Sequence, residues 1–128
     1  MLKEKHRYCA AIIIRNNKVL LLRKSLADDQ GGKWCPINET LEKGESPTTA
    51  VIRGVREEVG LKFIIKQVVS DDSFGEYVFV GSGKGLLNLN TEESLEYGWF
   101  SYKEAILLDF AYDYRQVIQK LFDLKLIK

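Results

Sequence analysis

The sequence predicts a mixed α/β domain, an α+β sheet with flanking helices, and three observations carry that expectation. Two β-branched or leucine-rich runs, Tyr8 to Ile14 and Val19 to Lys24, are separated by a short polar turn. A strongly capped amphipathic segment, Pro47 to Val59, follows them. Further strand-like runs then precede two helical patterns near the C-terminus. A chain of 128 residues is long enough for one core and too short for two ordinary domains, so a single domain over 1–128 is expected.

The elements follow in order. Arg15-Asn16-Asn17-Lys18 joins the first two runs, and paired asparagines tolerate the positive φ angles of a tight hairpin turn. Ser25 to Asn38 is polar, contains Gly31-Gly32 and Pro36, and reads as a loop anchored by Trp34. Ser46 is a good N-cap, and Pro47 suits the first helical position, where its missing N–H costs nothing. Val51, Val55 and Val59 repeat on one face with Ile52 widening it, and Gly60 can take the left-handed conformation just past the end. A helix over Pro47 to Val59 is predicted.

Downstream, Lys62 to Val69, Glu76 to Val80 and Leu86 to Asn90 read as strands. They are separated by Asp71-Asp72-Ser73 and by Gly81-Ser82-Gly83-Lys84-Gly85. The glycine-rich tract lacks the Gly-x-x-x-x-Gly-Lys-Ser/Thr spacing of a phosphate loop and reads as a hairpin turn. Tyr77 and Phe79 read as alternating on the middle strand, one facing the core and the other available to stack on a base, with core packing the default for either. Tyr97 to Phe100 is a further short strand. Ser101 with Glu104 forms a capping box that opens a helix toward Leu108, and Tyr114, Val117, Ile118 and Leu121 mark a last amphipathic helix.

Composition narrows the function. The chain is 45% apolar and 29% charged, as in soluble globular proteins. Its longest apolar stretches, Cys9 to Ile14 and Val19 to Leu22, fall far short of the roughly 20 residues that span a bilayer. Basic residues precede the first of them, but no small-residue cleavage site follows, so a strand is expected rather than a signal peptide. Nineteen basic side chains against eighteen acidic ones leave a net charge of +1, which gives no global pull toward nucleic acid or a membrane surface. Cys9 and Cys35 form no metal or redox pair, and His6 is the only histidine, so a zinc site or a histidine triad is not expected. Cys35 beside Trp34 reads as a packed thiol, and a reducing, cytoplasmic setting is the default.

Carboxylates therefore carry the remaining chemistry. In Gly44 to Leu61, Arg53, Gly54, Glu57 and Glu58 form one polar stripe on the helix, since residues three and four apart share a face. Glu45 lies at the mouth of the same helix. Adjacent glutamates facing a cleft repel one another, and a hard divalent cation removes that penalty. Mg²⁺ takes oxygen ligands and needs only one or two protein carboxylates beside water and substrate phosphates. Metal-assisted attack on a phosphoanhydride is the chemistry such a stripe supports. A solvated helix face with weak ion pairs is the alternative reading of the same residues.

The segment from 39 to 61 resembles the signature of the Nudix hydrolases. That signature is Gly, five residues, Glu, seven residues, then Arg-Glu-apolar-x-Glu-Glu-x-Gly-apolar. Glu45, Arg53, Val55, Glu57, Glu58, Gly60 and Leu61 match, seven of nine specified positions. Gly44, Ala50 and Glu42 also sit where such boxes commonly carry those residues. Two positions depart. Glu39 stands where the signature begins with Gly, so the usual Pro-Gly-Gly turn reads Ile37-Asn38-Glu39. Gly54 replaces the Glu after the Arg, a residue that is a metal ligand or water-activating group in much of the family. A mid-helix glycine costs about 1 kcal/mol relative to alanine, so propensity does not explain it. Either the glycine records lost catalysis, or Glu39 or Glu42 reaches the site and supplies the carboxylate.

The resemblance implies a Nudix-like fold and Mg²⁺-dependent hydrolysis (Mn²⁺ as an alternative ion) of a small molecule, a nucleoside diphosphate linked to another group. It implies Glu57 and Glu58 as metal ligands, with Glu45, Arg53 and Glu58 as catalytic residues. The backbone carbonyl of Asn38 and one carboxylate of a loop before Trp99, Glu93 ahead of Glu92, would be further ligands. Arg23, with Lys24 beside it at a strand end, is the candidate for substrate phosphates, a solvated strand end being the alternative. The rival to an enzyme is a catalytically silent Nudix fold that binds a nucleotide or a protein partner.

Overall fold

The computed structural model describes residues 8–69 and 76–128. His6 and the Asp71-Asp72-Ser73 separator lie outside those residues. Its elements are β1 (Tyr8–Arg15), β2 (Lys18–Lys24), β3 (Trp34–Cys35), β4 (Ile37–Thr40), α1 (Pro47–Val59), β5 (Lys62–Val69), β6 (Tyr77–Lys84), β7 (Ser94–Phe100), α2 (Tyr102–Ala105) and α3 (Tyr114–Asp123). The mixed α+β class is as expected. The chain divides into two compact units, one taking in the chain to Ile13 with Ile37–Asn88, the other Ile14–Pro36 with Leu89–Lys128.

In the first unit, β1 lies between β4 and β6. It pairs antiparallel with β4, Cys9 opposite Glu39 and Ala10 opposite Asn38, and parallel with β6 from Cys9↔Tyr77 to Ile13↔Gly81. β6 pairs antiparallel with β5, with a register shift between Ile65 and Gln67. A strand flanked on both edges and covered on both faces is apolar without alternation. Cys9 to Ile13 is such a run and is fully buried. Helix α1 packs on β4 and β5. It begins where Ser46 accepts a hydrogen bond from the Thr49 N–H, and it ends at Gly60, whose φ of 69° is left-handed. Val51, Val55 and Val59 are buried, whereas Ile52 is only half-buried, so the apolar stripe is narrower than the sequence suggested.

In the second unit, Asn16 and Asn17 take φ values of 51° and 62°, closing the β1–β2 hairpin at Ile14↔Val19 and Arg15↔Lys18. β2 also pairs with β7 along Val19↔Phe100 to Lys24↔Ser94, and with β3 at Leu22↔Cys35 and Arg23↔Trp34. The capping box of Ser101 and Glu104 is present, but α2 ends at Ala105, short of Leu108. Tyr114, Val117, Ile118 and Leu121 are the buried face of α3. Among the described residues, no helix is long and apolar enough to cross a membrane.

Further expectations are corrected. Within the expected Ser25 to Asn38 loop, Trp34–Cys35 is a strand and Ile37 and Asn38 begin the strand Ile37–Thr40, because each finds a distant pairing partner that local composition does not reveal. Gly81 to Lys84 continue β6 instead of turning, and Leu86 to Asn90 form no strand. Tyr77 and Phe79 are two apart, hence on one face, and both are buried, so neither is presented to a base. The glycines of β6 are there for close approach. A Cβ at Gly81 would stand 2.0 Å from the Ile64 carbonyl oxygen and 3.1 Å from Ile65 Cα, beside the register shift. Gly81→Ala is therefore expected to destabilise the fold by about 3 kcal/mol, read as a lower urea midpoint with an unchanged slope.

Candidate active site

The site is built around one guanidinium. Arg53 sits at the middle of α1, one turn before Glu57, and its side chain is only 15% exposed. Its Nε and Nη2 donate to the two oxygens of Glu45 at 2.8 and 2.9 Å, a planar fork meeting a planar carboxylate. Nη2 also donates to the Thr40 carbonyl at 3.2 Å, tying the helix to the end of β4. The third nitrogen, Nη1, lies 3.4 Å from Glu39, 3.4 Å from Glu57 and 3.8 Å from Glu42.

The loop between β4 and α1 orients these groups. Glu45 N–H donates to the Glu42 carbonyl, and Glu42 N–H donates to the Glu45 carboxylate, so the loop closes on itself before the Ser46 cap. Exposure grades the four carboxylates: Glu45 10%, Glu39 22%, Glu57 54% and Glu42 71%. The hydrogen bonds from Arg53 hold the Glu45 carboxyl down to about 2. Its carboxylates in turn raise Arg53 further above its already high range. Glu39 goes the other way: burial raises its carboxyl although Arg53 opposes the shift.

Glu58, four residues after Gly54, is half-buried, with its Oε2 shut away from solvent. Residues four apart share a helix face, so Glu58 and Gly54 lie on the same side of α1. Among the described residues, no three acidic, cysteine or histidine side chains converge as a ready-made metal cage. The donor set nevertheless suits a hard cation. Four carboxylates lie within 4 Å of a single guanidinium, leaving negative charge in excess, and Mg²⁺ asks for few protein ligands.

The structure thus brings Glu45, Arg53 and Glu57 together, and it adds Glu39 and Glu42, left open as alternatives by the sequence. Asn38 lies in β4, paired with Ala10, in extended backbone rather than in a sharp turn. Arg23 and Glu93 belong to the second unit. There Arg23 donates to the Gly32 carbonyl at 2.9 Å and pairs with Glu96 at 3.1 Å. Lys24 pairs with Asp28 at 3.5 Å. Glu93 is exposed, and its carbonyl accepts the Ser25 N–H. Neither cysteine is in a disulfide and both are buried, and burial pushes the Cys9 thiol up to about 12, so it is not a nucleophile at neutral pH.

Comparison with known proteins bears on the family and the fold. The family pattern described as the NUDIX domain matches residues 5–121. A CTP pyrophosphohydrolase of Escherichia coli (strain K12) is 36% identical over 61 residues, 48% of this chain and 45% of that protein. The match therefore spans a little under half the length of that curated relative. The solution structure of the E. coli ORF135 protein superposes with a TM-score of 0.72 at 25% identity, over 92% of this chain and 89% of that one. A MutT NUDIX hydrolase from Burkholderia pseudomallei gives 0.70 at 21% identity, over 89% and 95%, a likeness of fold. Since the family pattern takes in nearly the whole sequence and the box lies on the helix and strand just described, the chain belongs to the Nudix family.

Proposed function

We propose that the chain, acting as one Nudix-like domain in a reducing cytoplasmic setting, is a Mg²⁺-dependent pyrophosphohydrolase. Its substrate would be a nucleoside diphosphate linked to another moiety, such as a further phosphate. The observation that carries the reading is the gathering of Glu39, Glu42, Glu45 and Glu57 on Arg53, an excess of negative charge on the face that also carries Glu58. The relative named CTP pyrophosphohydrolase supports the reaction class.

Glu57 and Glu58 would hold the cation, with the Asn38 carbonyl and Glu93 as further candidates. When bound, a divalent cation there polarises a phosphoryl oxygen and makes a coordinated water nucleophilic. Arg53 fixes the direction of the carboxylates it binds. Glu45, clamped through both oxygens and ionised throughout the neutral range, keeps the guanidinium turned toward Glu57. Arg23 is the proposed contact for a substrate phosphate, which would have to compete with Glu96 for its Nη1.

The second reading, a silent nucleotide- or protein-binding module, is favoured by Gly54, which leaves α1 without a carboxylate at that point. A panel of nucleoside triphosphates, dinucleoside polyphosphates and nucleotide sugars separates the two at mildly alkaline pH. Turnover of at least one compound that requires Mg²⁺ or Mn²⁺ is expected. Saturable binding of a panel member with no product would establish the silent module instead.

A further inference from the structure

The two departures from the signature, Glu39 and Gly54, are in contact with each other. A Cβ added at Gly54 would lie 3.0 Å from Glu39 Oε2, 3.1 Å from its Cβ and 3.2 Å from its Cγ. The side chain of Glu39 thus runs along the bare backbone of α1 from its root to its carboxylate. A side chain rooted at position 54 would press against Glu39, which must give by a few tenths of an ångström to admit it. Two of the three close atoms sit near the β4 backbone, so the crowding is not relieved by swinging a flexible end aside.

The carboxylate so placed faces the same chemistry as the helix. Its Oε1 lies 3.4 Å from Arg53 Nη1, the nitrogen that also lies 3.4 Å from Glu57. Glu58 is one turn beyond Gly54 in α1 and is half-buried. Register explains how Glu39 gets there. It lies opposite Cys9 in the β4–β1 ladder, so its backbone is fixed by pairing, and α1 packs against β4.

We propose that Glu39 and Gly54 are an exchanged pair: the acidic group that the Nudix signature carries on the helix at 54 is delivered here from β4 by Glu39. Gly54 is the opening that admits it, and Glu39 acts with Glu57 and Glu58 toward the divalent cation. The cation's involvement rests on the reading above, whereas the steric exchange does not.

The test compares the wild-type chain with E39Q, E39G, G54E and E39G/G54E. Each is titrated with Mn²⁺ alone, followed by the resonance of the free ion, and melted with and without Mg²⁺. E39Q keeps the shape and removes the charge, so it is expected to melt no lower than wild type without metal. It is expected to bind Mn²⁺ about ten- to a hundredfold more weakly. G54E, with Glu39 in place, is expected to lower Tm through crowding. E39G/G54E is expected to recover that Tm loss and to bind Mn²⁺ more tightly than E39G.

Wild-type Mn²⁺ affinity in E39Q would overturn the proposal, and so would a double variant no better than the sum of the single ones. Failure of the hydrolase reading is distinguishable. A wild type that turns over nothing, yet loses Mn²⁺ affinity on E39Q, keeps the exchanged pair and sinks the enzyme. A wild type that hydrolyses, with E39Q unchanged in turnover and in Mn²⁺ affinity, does the reverse.

Discussion

Arg53→Ala is expected to cut turnover about a hundred- to a thousandfold and to lower the melting temperature at neutral pH. Nothing else among the described residues is shown in contact with Glu39, Glu42, Glu45 and Glu57 at once. Removing the guanidinium leaves Glu45, only 10% exposed, without the two bonds that orient it, and lets like charges face one another. Arg53→Lys keeps the charge but not the fork, so it is expected to fall between wild type and alanine.

The pH dependence has a definite sign. Glu45 is held below its ordinary 4.5, down to about 2, so the stability it contributes is fully present above about 4.5 and is lost as pH falls toward 2. The Tm gap between wild type and Arg53→Ala is therefore expected to be widest near neutrality and to close over that acidic window. A gap of constant width would show that Arg53 stabilises by packing alone. Millimolar Mg²⁺ is expected to return part of the lost Tm, since the cation offsets the same repulsion.

Glu57→Gln and Glu58→Gln are expected to lower turnover by about a hundredfold or more each, with the fold kept. Glutamine preserves shape and one carbonyl oxygen but not the negative charge that competes with water for Mg²⁺. The larger loss is expected at Glu58, which is half-buried with its Oε2 shut off from solvent. Glu57 is 54% exposed and shared with Arg53, so water can take over more of its role. Two ligands of one ion act as a unit, and the double variant is expected to lose far less than the product of the two single losses. A fully multiplicative loss would place the two residues on separate tasks.

The helix at the centre of the site was legible because its signals are local. Ser46, Pro47 and Gly60 mark its ends, and the valine spacing marks its buried face, so its bounds agree with the structure. Lys62 to Val69 agrees for a similar reason, a long strand without internal glycine or proline. What was missed is non-local. β3 and β4 are too short to show a period, and each is a strand only because β2 or β1 lies beside it. Glycines 81 and 83 punctuate turns in most contexts; here they let β6 pass close to its neighbours.

The site divides in the same way. Arg53, Glu57 and Glu58 follow from helical spacing, and Glu45 from its place before the cap. That Glu39 ends beside Gly54, across fifteen positions, depends on β4 pairing with β1 and on α1 packing over it. The signal that could have joined them was present: a glycine with no propensity reason in mid-helix, and a glutamate where the signature has glycine. Small and large had traded places.

The central claim is that the acidic face of α1 uses a divalent cation to break a phosphoanhydride. Its most direct measurement is the initial rate of product release from the fastest panel substrate, for wild type and for the Glu57→Gln/Glu58→Gln double variant, each with millimolar Mg²⁺ and with chelator. Release by wild type that needs Mg²⁺ and is lost in the double variant is the predicted result. Equal release by the folded double variant, or release that persists in chelator, would contradict it.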